Sequence, residues 1–255
     1  MKTQFDKIYV ISLVTNHDRQ EFIKYQMNEL GLDFEFVYGI DINNLTYDAV
    51  NLPITYPYTY DDKTNNTATN YGCAMTHYLA VSQAYEFGYN SILILEDDAC
   101  FIKDKNLVEY YLNNIPNNAD FINFDPRFIS DDEHNSFINK LKNNNDNYLK
   151  FSNDYKYLSG AVIYSLMNRN TMKLYLDNQR KMLHTSDRVL GIWKEPIINR
   201  YICSKCLCTD QFNISYNFDI NTHVSYINIY NKINKLNIED FYKPEKYHVF
   251  CREYT

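Results

Sequence analysis

The segment Ser91–Ile102, SILILEDDACFI, constrains this chain more than any other. Its apolar run, Ile92 to Leu95, is short and rich in β-branched residues, and it reads as a buried strand rather than a helix. The run breaks into three consecutive carboxylates, Glu96, Asp97 and Asp98. Neighbouring like charges repel, so these side chains must be separated, solvated or neutralised by a cation. At the carboxyl end of a strand in an α/β sheet they would stand in the crevice where such folds bind ligands. Strand alternation predicts Glu96 and Asp98 on one side and Asp97 on the other. Hard carboxylate oxygens suit Mg²⁺ or Mn²⁺, and such an ion suits a diphosphate. An acidic turn that merely ends a strand and faces water would use the same residues, so the rest of the chain must decide.

At 255 residues the chain is one large domain or two small ones, long enough to bury a core. A hydrophobic share of 45%, with 25 Tyr and 15 Phe, excludes a disordered polypeptide. The net charge of −7, with no Lys/Arg-rich run, argues against nucleic acid as a partner. An acidic protein that holds an anionic nucleotide needs a local cation, either a metal ion or a placed Arg. No stretch approaches the roughly 20 apolar residues of a membrane span. The opening MKTQFDKIYVISLV lacks the features of a signal peptide. The expectation is a soluble, cytoplasmic protein, acting in the host-cell cytoplasm if its source is viral. Oligomeric state leaves no mark on the sequence.

Read in order, Lys7–Leu13 is a strand. Asp18-x-x-Glu21 forms a capping box for a helix through Leu30, with Phe22, Met27 and Leu30 inward and Gly31 as its C-cap. Phe34–Tyr38 is a second strand, giving the strand–helix–strand opening of a parallel, Rossmann-like sheet. Residues 43–69 read as a long loop over the sheet edge, a candidate substrate lid in which Tyr56, Tyr58 and Tyr60 could stack on a sugar. Asn70 is placed to cap a helix over 71–87, closed by Gly88. Asn106–Asn113 is a short helix and Asp120–Phe124 a strand. The polar segment 130–153 reads as exposed or partly disordered. Leu158–Leu166 reads as one strand, and Asn168 as the cap of a helix through Gln179. Cys73 and Cys100 look like small core residues, whereas Cys203, Cys206 and Cys208 form a C-x-x-C-x-C cluster. Free thiols explain that cluster more simply than a structural zinc, which would need a fourth ligand such as Cys251 or His248.

Several of these segments, in this order, resemble glycosyltransferase family 25, the group of lipooligosaccharide and collagen galactosyltransferases. IYVISL followed by Asp18-Arg19 resembles the family's V-I-N-L…D-R start. Gly31-Leu32 and FEFVYGID are similar to its L-G-(I/L)-x-F-E-F-x-x-(A/G)-(I/V)-D stretch. Gly72-Cys73-Ala74-Met75-Thr76-His77 resembles G-C-x-x-S-H, and LILEDDACF resembles L-I-L-E-D-D-x-x-F. SGAVIYSL, then Asp187, then Gln211 with Ser215, are weaker echoes. The resemblance covers roughly residues 7–216. Ser12 stands for the family's Asn, and Thr76 for its Ser.

The resemblance implies a GT-A type α/β fold, a Rossmann-like mixed sheet with helices on both faces. It implies a single catalytic domain over 1–255, with 1–125 as the nucleotide-sugar-binding half and 126–255 as the acceptor-binding half and tail. The implied activity is metal-dependent, inverting transfer of a hexose, galactose or glucose, from a UDP-sugar to a hydroxyl of a glycan or glycoprotein acceptor. The implied cofactor is Mn²⁺ or Mg²⁺, held by Asp98 and Glu96. Ser12, Arg19, Gly72, Thr76, His77, Glu96, Asp97, Gln211 and Ser215 would line the donor site. Inversion in one displacement needs a base for the acceptor proton, for which Asp187 is the first candidate and Asp210 the second. Read without the family, Arg19 is equally a solvated residue at a helix start, His77 a satisfied helix histidine and Gly72 a helix-start glycine. Two other readings stay open: a catalytically inactive nucleotide- or glycan-binding protein on the same fold, and a zinc-stabilised interaction module built on the Cys cluster.

Overall fold

A computed structural model describes residues 1, 3–39, 67–124, 126–128, 139–140, 143, 146–151, 157–159, 162–179, 198–205, 207–210 and 240–242. At 67–71, 126–128, 151, 157–159 and 210 only the backbone is described. The chain opens with strand β1 (Lys7–Leu13), helix α1 (His17–Leu30) and strand β2 (Glu35–Gly39). Helix α2 (Thr67–Glu86) leads to β3 (Ile92–Glu96), β4 (Ala99–Phe101) and helix α3 (Lys105–Asn113). Strands β5 (Phe121–Asn123), β6 (Pro126–Phe128), β7 (Tyr148–Phe151), β8 (Tyr157–Ser159) and β9 (Ile163–Leu166) follow. Helix α4 (Arg169–Gln179), β10 (Arg200–Cys203) and β11 (Cys208–Asp210) complete the described elements.

Seven strands form a mixed sheet in the order β2-β1-β3-β9-β5-β10-β7. β1 pairs in parallel with β2 and β3, whereas β9 runs antiparallel to both β3 and β5. The strands read as continuous apolar runs because both faces of the sheet are covered. Ile8, Val10, Leu93, Leu95 and Ile122 point into one core with Ile23, Met27 and Leu30 of α1 and Val108 and Leu112 of α3. Their neighbours Tyr9, Ile11, Ile92, Ile94 and Phe121 point into a second core with Ala80, Val81 and Ala84 of α2 and Met172 and Tyr175 of α4. Alternation along β3 thus sends each second residue to the α1 layer and the rest to the α2 layer. The expected mixed α/β architecture with helices on both faces is what the chain adopts.

From β1 the chain passes through α1 to β2 on one side and then through α2 to β3 on the other. The order therefore reverses at β1, and the carboxyl ends of β1 and β3 meet at a switch point of the kind where α/β sheets take ligands.

Several local expectations are corrected. Helix α1 begins at His17 after Asn16, and Asn16 makes no side-chain cap, so the Asp18 capping box does not set the start. Its C-terminus is as expected: Gly31 sits at φ 70°, and the N–H groups of Gly31 and Leu32 reach the carbonyls of Asn28 and Met27. Ile23 is fully buried where Phe22 is only partly so. Helix α2 starts at Thr67, so Asn70 is internal to it and does not cap it. The run 158–166 divides into β8, which pairs with β6, and β9, which enters the main sheet. Inside the polar stretch 130–153, β7 forms the sheet's far edge with Tyr148 and Leu149 buried. The short strands β4, β10 and β11 were not anticipated. The expected Asn168 cap is present, its Oδ1 accepting from the Thr171 N–H at 2.9 Å. The loop expected over 43–69 ends earlier than expected, since residues 67–69 belong to α2; the rest of the proposed lid, including Tyr56, Tyr58 and Tyr60, lies outside the described residues.

Candidate functional site

β3 ends at Glu96, and Asp97–Asp98 make the turn into β4. The register aligns Ile11 with Glu96, which brings Ser12 beside Asp97 on the α1 face. Asp97, 5% exposed, is held by three donors from the β1–α1 segment. The Ser12 hydroxyl donates to Asp97 Oδ2 at 2.7 Å, Asn16 Nδ2 donates to the same oxygen at 3.1 Å, and Arg19 Nη1 donates to Oδ1 at 3.0 Å. Arg19 Nη1 also lies 3.6 Å from Asp98 Oδ2. Burial opposes the Arg19 cation, but the facing Asp98 and Asp97 carboxylates outweigh it and raise its pKa above the usual value.

This geometry corrects the expectation that Asp98 shares a side with Glu96. Strand alternation stops where the strand stops, and the turn swings Asp98 toward the cation that also binds Asp97. Asp98 keeps 21% of its side chain exposed, at the rim of the crevice rather than in bulk solvent.

Glu96 points to the α2 face. Its Oε1 lies 3.1 Å from His77 Nε2 and 3.8 Å from Cys73 Sγ. His77 is fully buried, and its Nδ1 meets the Tyr164 hydroxyl of β9 at 2.9 Å. Burial, with Tyr175 alongside, pushes the Tyr164 phenol well above its ordinary pKa and keeps it a neutral hydroxyl. Cys73 and His77 are one turn apart on α2, so one helix face carries both to the end of β3. Thr76, also buried, donates to the Gly72 carbonyl at 2.7 Å and packs under Gly39. A Cβ on Gly39 would collide with the Thr76 hydroxyl, so glycine at the end of β2 is what lets α2 approach.

Of the residues expected at the site, Ser12, Arg19, Asp97 and Asp98 form one cluster, and Glu96 and His77 form a second on the other face. Thr76 and Gly72 are engaged within α2. Asp210 ends β11, where its backbone is in register with Ala99, the residue after Asp98. Asp187, Gln211 and Ser215 lie outside the described residues. The cysteine cluster is only partly described: Cys203 and Cys208 are buried, and Cys206 falls outside the described residues. Asn16, Cys73 and Tyr164 were not foreseen. Only the i, i+4 spacing of Cys73 and His77 gave a signal in the sequence; the partnership of Asn16 with Asp97 spans 81 residues and gave none.

A mixed sheet with a switch-point crevice at the carboxyl ends of β1 and β3 belongs to the broad class of open α/β folds that take ligands there. The profile of glycosyltransferase family 25 (LPS biosynthesis protein) matches residues 5–189, and the chain belongs to that family. No curated protein sequence matches it. Seventeen solved chains match. One is described as the crystal structure of a glycosyltransferase involved in the glycosylation of the major capsid of PBCV-1. It is 9% identical, with a TM-score of 0.34, over 68% of this chain and 66% of that one. No helix among the described residues is long and apolar enough to cross a membrane.

Proposed function

We propose that this chain is a metal-dependent, inverting glycosyltransferase of the GT-A type that moves a hexose, galactose or glucose, from a UDP-sugar to a hydroxyl of a glycan or glycoprotein. The observation that carries this reading is the Asp97–Asp98 turn at the switch point, with Arg19 bound to both carboxylates. Residues 1–125 supply that turn and its partners and form the donor half; residues 126–255 form the acceptor half.

The oxygen donors at the rim suit a hard divalent ion such as Mn²⁺ or Mg²⁺, with Asp98 as its ligand; Glu96, expected as the second ligand, turns instead to His77 and Cys73 on the α2 face. When bound, that ion offsets charge that builds on the leaving diphosphate. Asp97 does different work: buried and triply bonded, it fixes β1 to the turn and aims Arg19 at the crevice. Arg19 presents a fork of donors to phosphate oxygens. Asp210, brought next to the turn by its register with Ala99, and Asp187 are the residues proposed to take the acceptor proton.

The test is a panel of UDP-sugars with purified protein and Mn²⁺, read as UDP release with and without an acceptor glycan. Turnover that EDTA removes and Asp98→Ala abolishes is the expected result. Activity indifferent to both EDTA and Asp98→Ala would sink the reading.

A further inference from the structure

The second cluster, on the α2 face of β3, has the composition of a different kind of site. Cys73 Sγ, His77 Nε2 and a Glu96 carboxylate oxygen lie within 4.8 Å of one another. The separations are 3.1 Å from nitrogen to oxygen and 3.8 Å from sulfur to oxygen. A tetrahedral ion with Zn–N and Zn–O near 2 Å and Zn–S near 2.3 Å would set those separations at roughly 3.3 and 3.6 Å. These two separations therefore stand within a few tenths of an ångström of those in a coordination shell, and the sulfur–nitrogen separation is within 4.8 Å.

Two further features fit. His77 has its other ring nitrogen against the buried Tyr164 hydroxyl, the outer contact that orients a metal-bound imidazole and fixes its tautomer. Glu96 keeps 23% of its side chain exposed, which leaves an entry path for an ion. A thiolate among the ligands selects against Mg²⁺ and for Zn²⁺ or Co²⁺.

We propose that Cys73, His77 and Glu96 form a zinc-class divalent cation seat, distinct from the hard ion ascribed to Asp98. Its definition rests on these three side chains and not on the sugar-transfer reading. Binding releases the Cys73 thiol proton to solvent, and neutral His77 takes the tautomer whose Nδ1–H donates to the Tyr164 oxygen. Glu96 exchanges hydrogen bonds from His77 and Cys73 for a bond to the ion.

The experiment uses the full chain, stripped with a chelator and titrated with Co²⁺ alone. One equivalent should produce a thiolate-to-cobalt charge-transfer band in the near ultraviolet. Zn²⁺ should displace the band and Mg²⁺ should not. The band should vanish in Cys73→Ser and persist in Cys206→Ser, which separates this seat from the C-x-x-C-x-C cluster. Absence of the band, or its survival in Cys73→Ser, overturns the proposal. If circular dichroism shows Cys73→Ser unfolded, alkylation of the unaltered protein decides, read by peptide mass. Zn²⁺ should slow modification of Cys73 at least tenfold; an unchanged rate overturns the seat.

Discussion

Ser12 Oγ donates to Asp97 Oδ2 across 2.7 Å, tying the carboxyl end of β1 to the turn that follows β3. Asp97 is the acceptor that holds Ser12, Asn16 and Arg19 together, and it is nearly closed to solvent. Removing it leaves three donors facing a cavity, one of them a charged and mostly buried guanidinium. Asp97→Ala is expected to destabilise the fold by about 2–4 kcal/mol, a value below that of a fully dry pair because Arg19 is partly wetted. Asp97→Asn keeps an acceptor and should lose less, and Ser12→Ala about 1 kcal/mol. Urea midpoints of the three variants give the order. An Asp97→Ala midpoint equal to that of the unaltered protein would refute the anchoring role.

The acidic turn is also fixed from its far side. Gln26, fully buried on α1, donates through Nε2 to the Ala99 carbonyl at 3.0 Å and accepts from the Phe101 N–H at 2.8 Å. One side-chain amide therefore serves two backbone groups of β4, immediately after Asp98. Gln26→Leu keeps the bulk and leaves both groups without that partner, for a loss of about 2–4 kcal/mol. Because β4 carries the turn, the same variant should weaken binding of a UDP-sugar with Mn²⁺, measured by calorimetry. Full stability in Gln26→Leu would show that the clamp contributes little.

The strand–helix–strand opening and the acidic end of β3 were legible because their apolar runs are unbroken and bounded by Gly31 and Gly88, both at positive φ. The three- and four-residue strands β4, β10 and β11 were not, since they are too short to show a period. The division of 158–166 between two sheets was equally hidden: both parts are apolar, and only their pairing with β6 or with β3 and β5 separates them. Within the site, residue types were readable and partners were not. Ser12, Asn16 and Arg19 reach Asp97 across 85, 81 and 78 residues, distances at which local spacing carries no information. Asn16, at the N-cap position of α1, spends its side chain on Asp97, so the Asp18-x-x-Glu21 capping-box signal pointed two residues too far along.

The contact between β2 and α2 sets how closely the helix carrying Cys73 and His77 approaches the sheet. A methyl group at Gly39 would meet the Thr76 side chain at its hydroxyl, its Cβ and its methyl. Gly39→Ala should cost about 1–3 kcal/mol, the range for overpacking a tight contact. Thr76→Ala removes two of the three obstructing atoms, so the double variant should recover part of that loss. A thermodynamic cycle on the four proteins should give a favourable coupling between the two substitutions. Strict additivity would mean that the helix shifts freely and that Gly39 sets no distance.

Cys203 in β10 gives a pH dependence with a definite sign. It is fully buried, and burial pushes its thiol from the ordinary 9.0 up to about 12. Between those values the unfolded chain has lost the thiol proton while the folded chain retains it. The folded state then binds more protons, so stability falls as pH rises. The contribution of this group is fully present below pH 9 and is lost toward 12, at a slope of roughly 1.4 kcal/mol per pH unit. Tyr9, raised to about 12 by its own burial, adds a loss of the same sign beginning near pH 10. Urea midpoints taken from pH 8 to 10.5 should therefore fall more steeply for the unaltered protein than for Cys203→Ala, which cannot ionise. Parallel curves would mean that the Cys203 thiol ionises as readily in the fold as out of it.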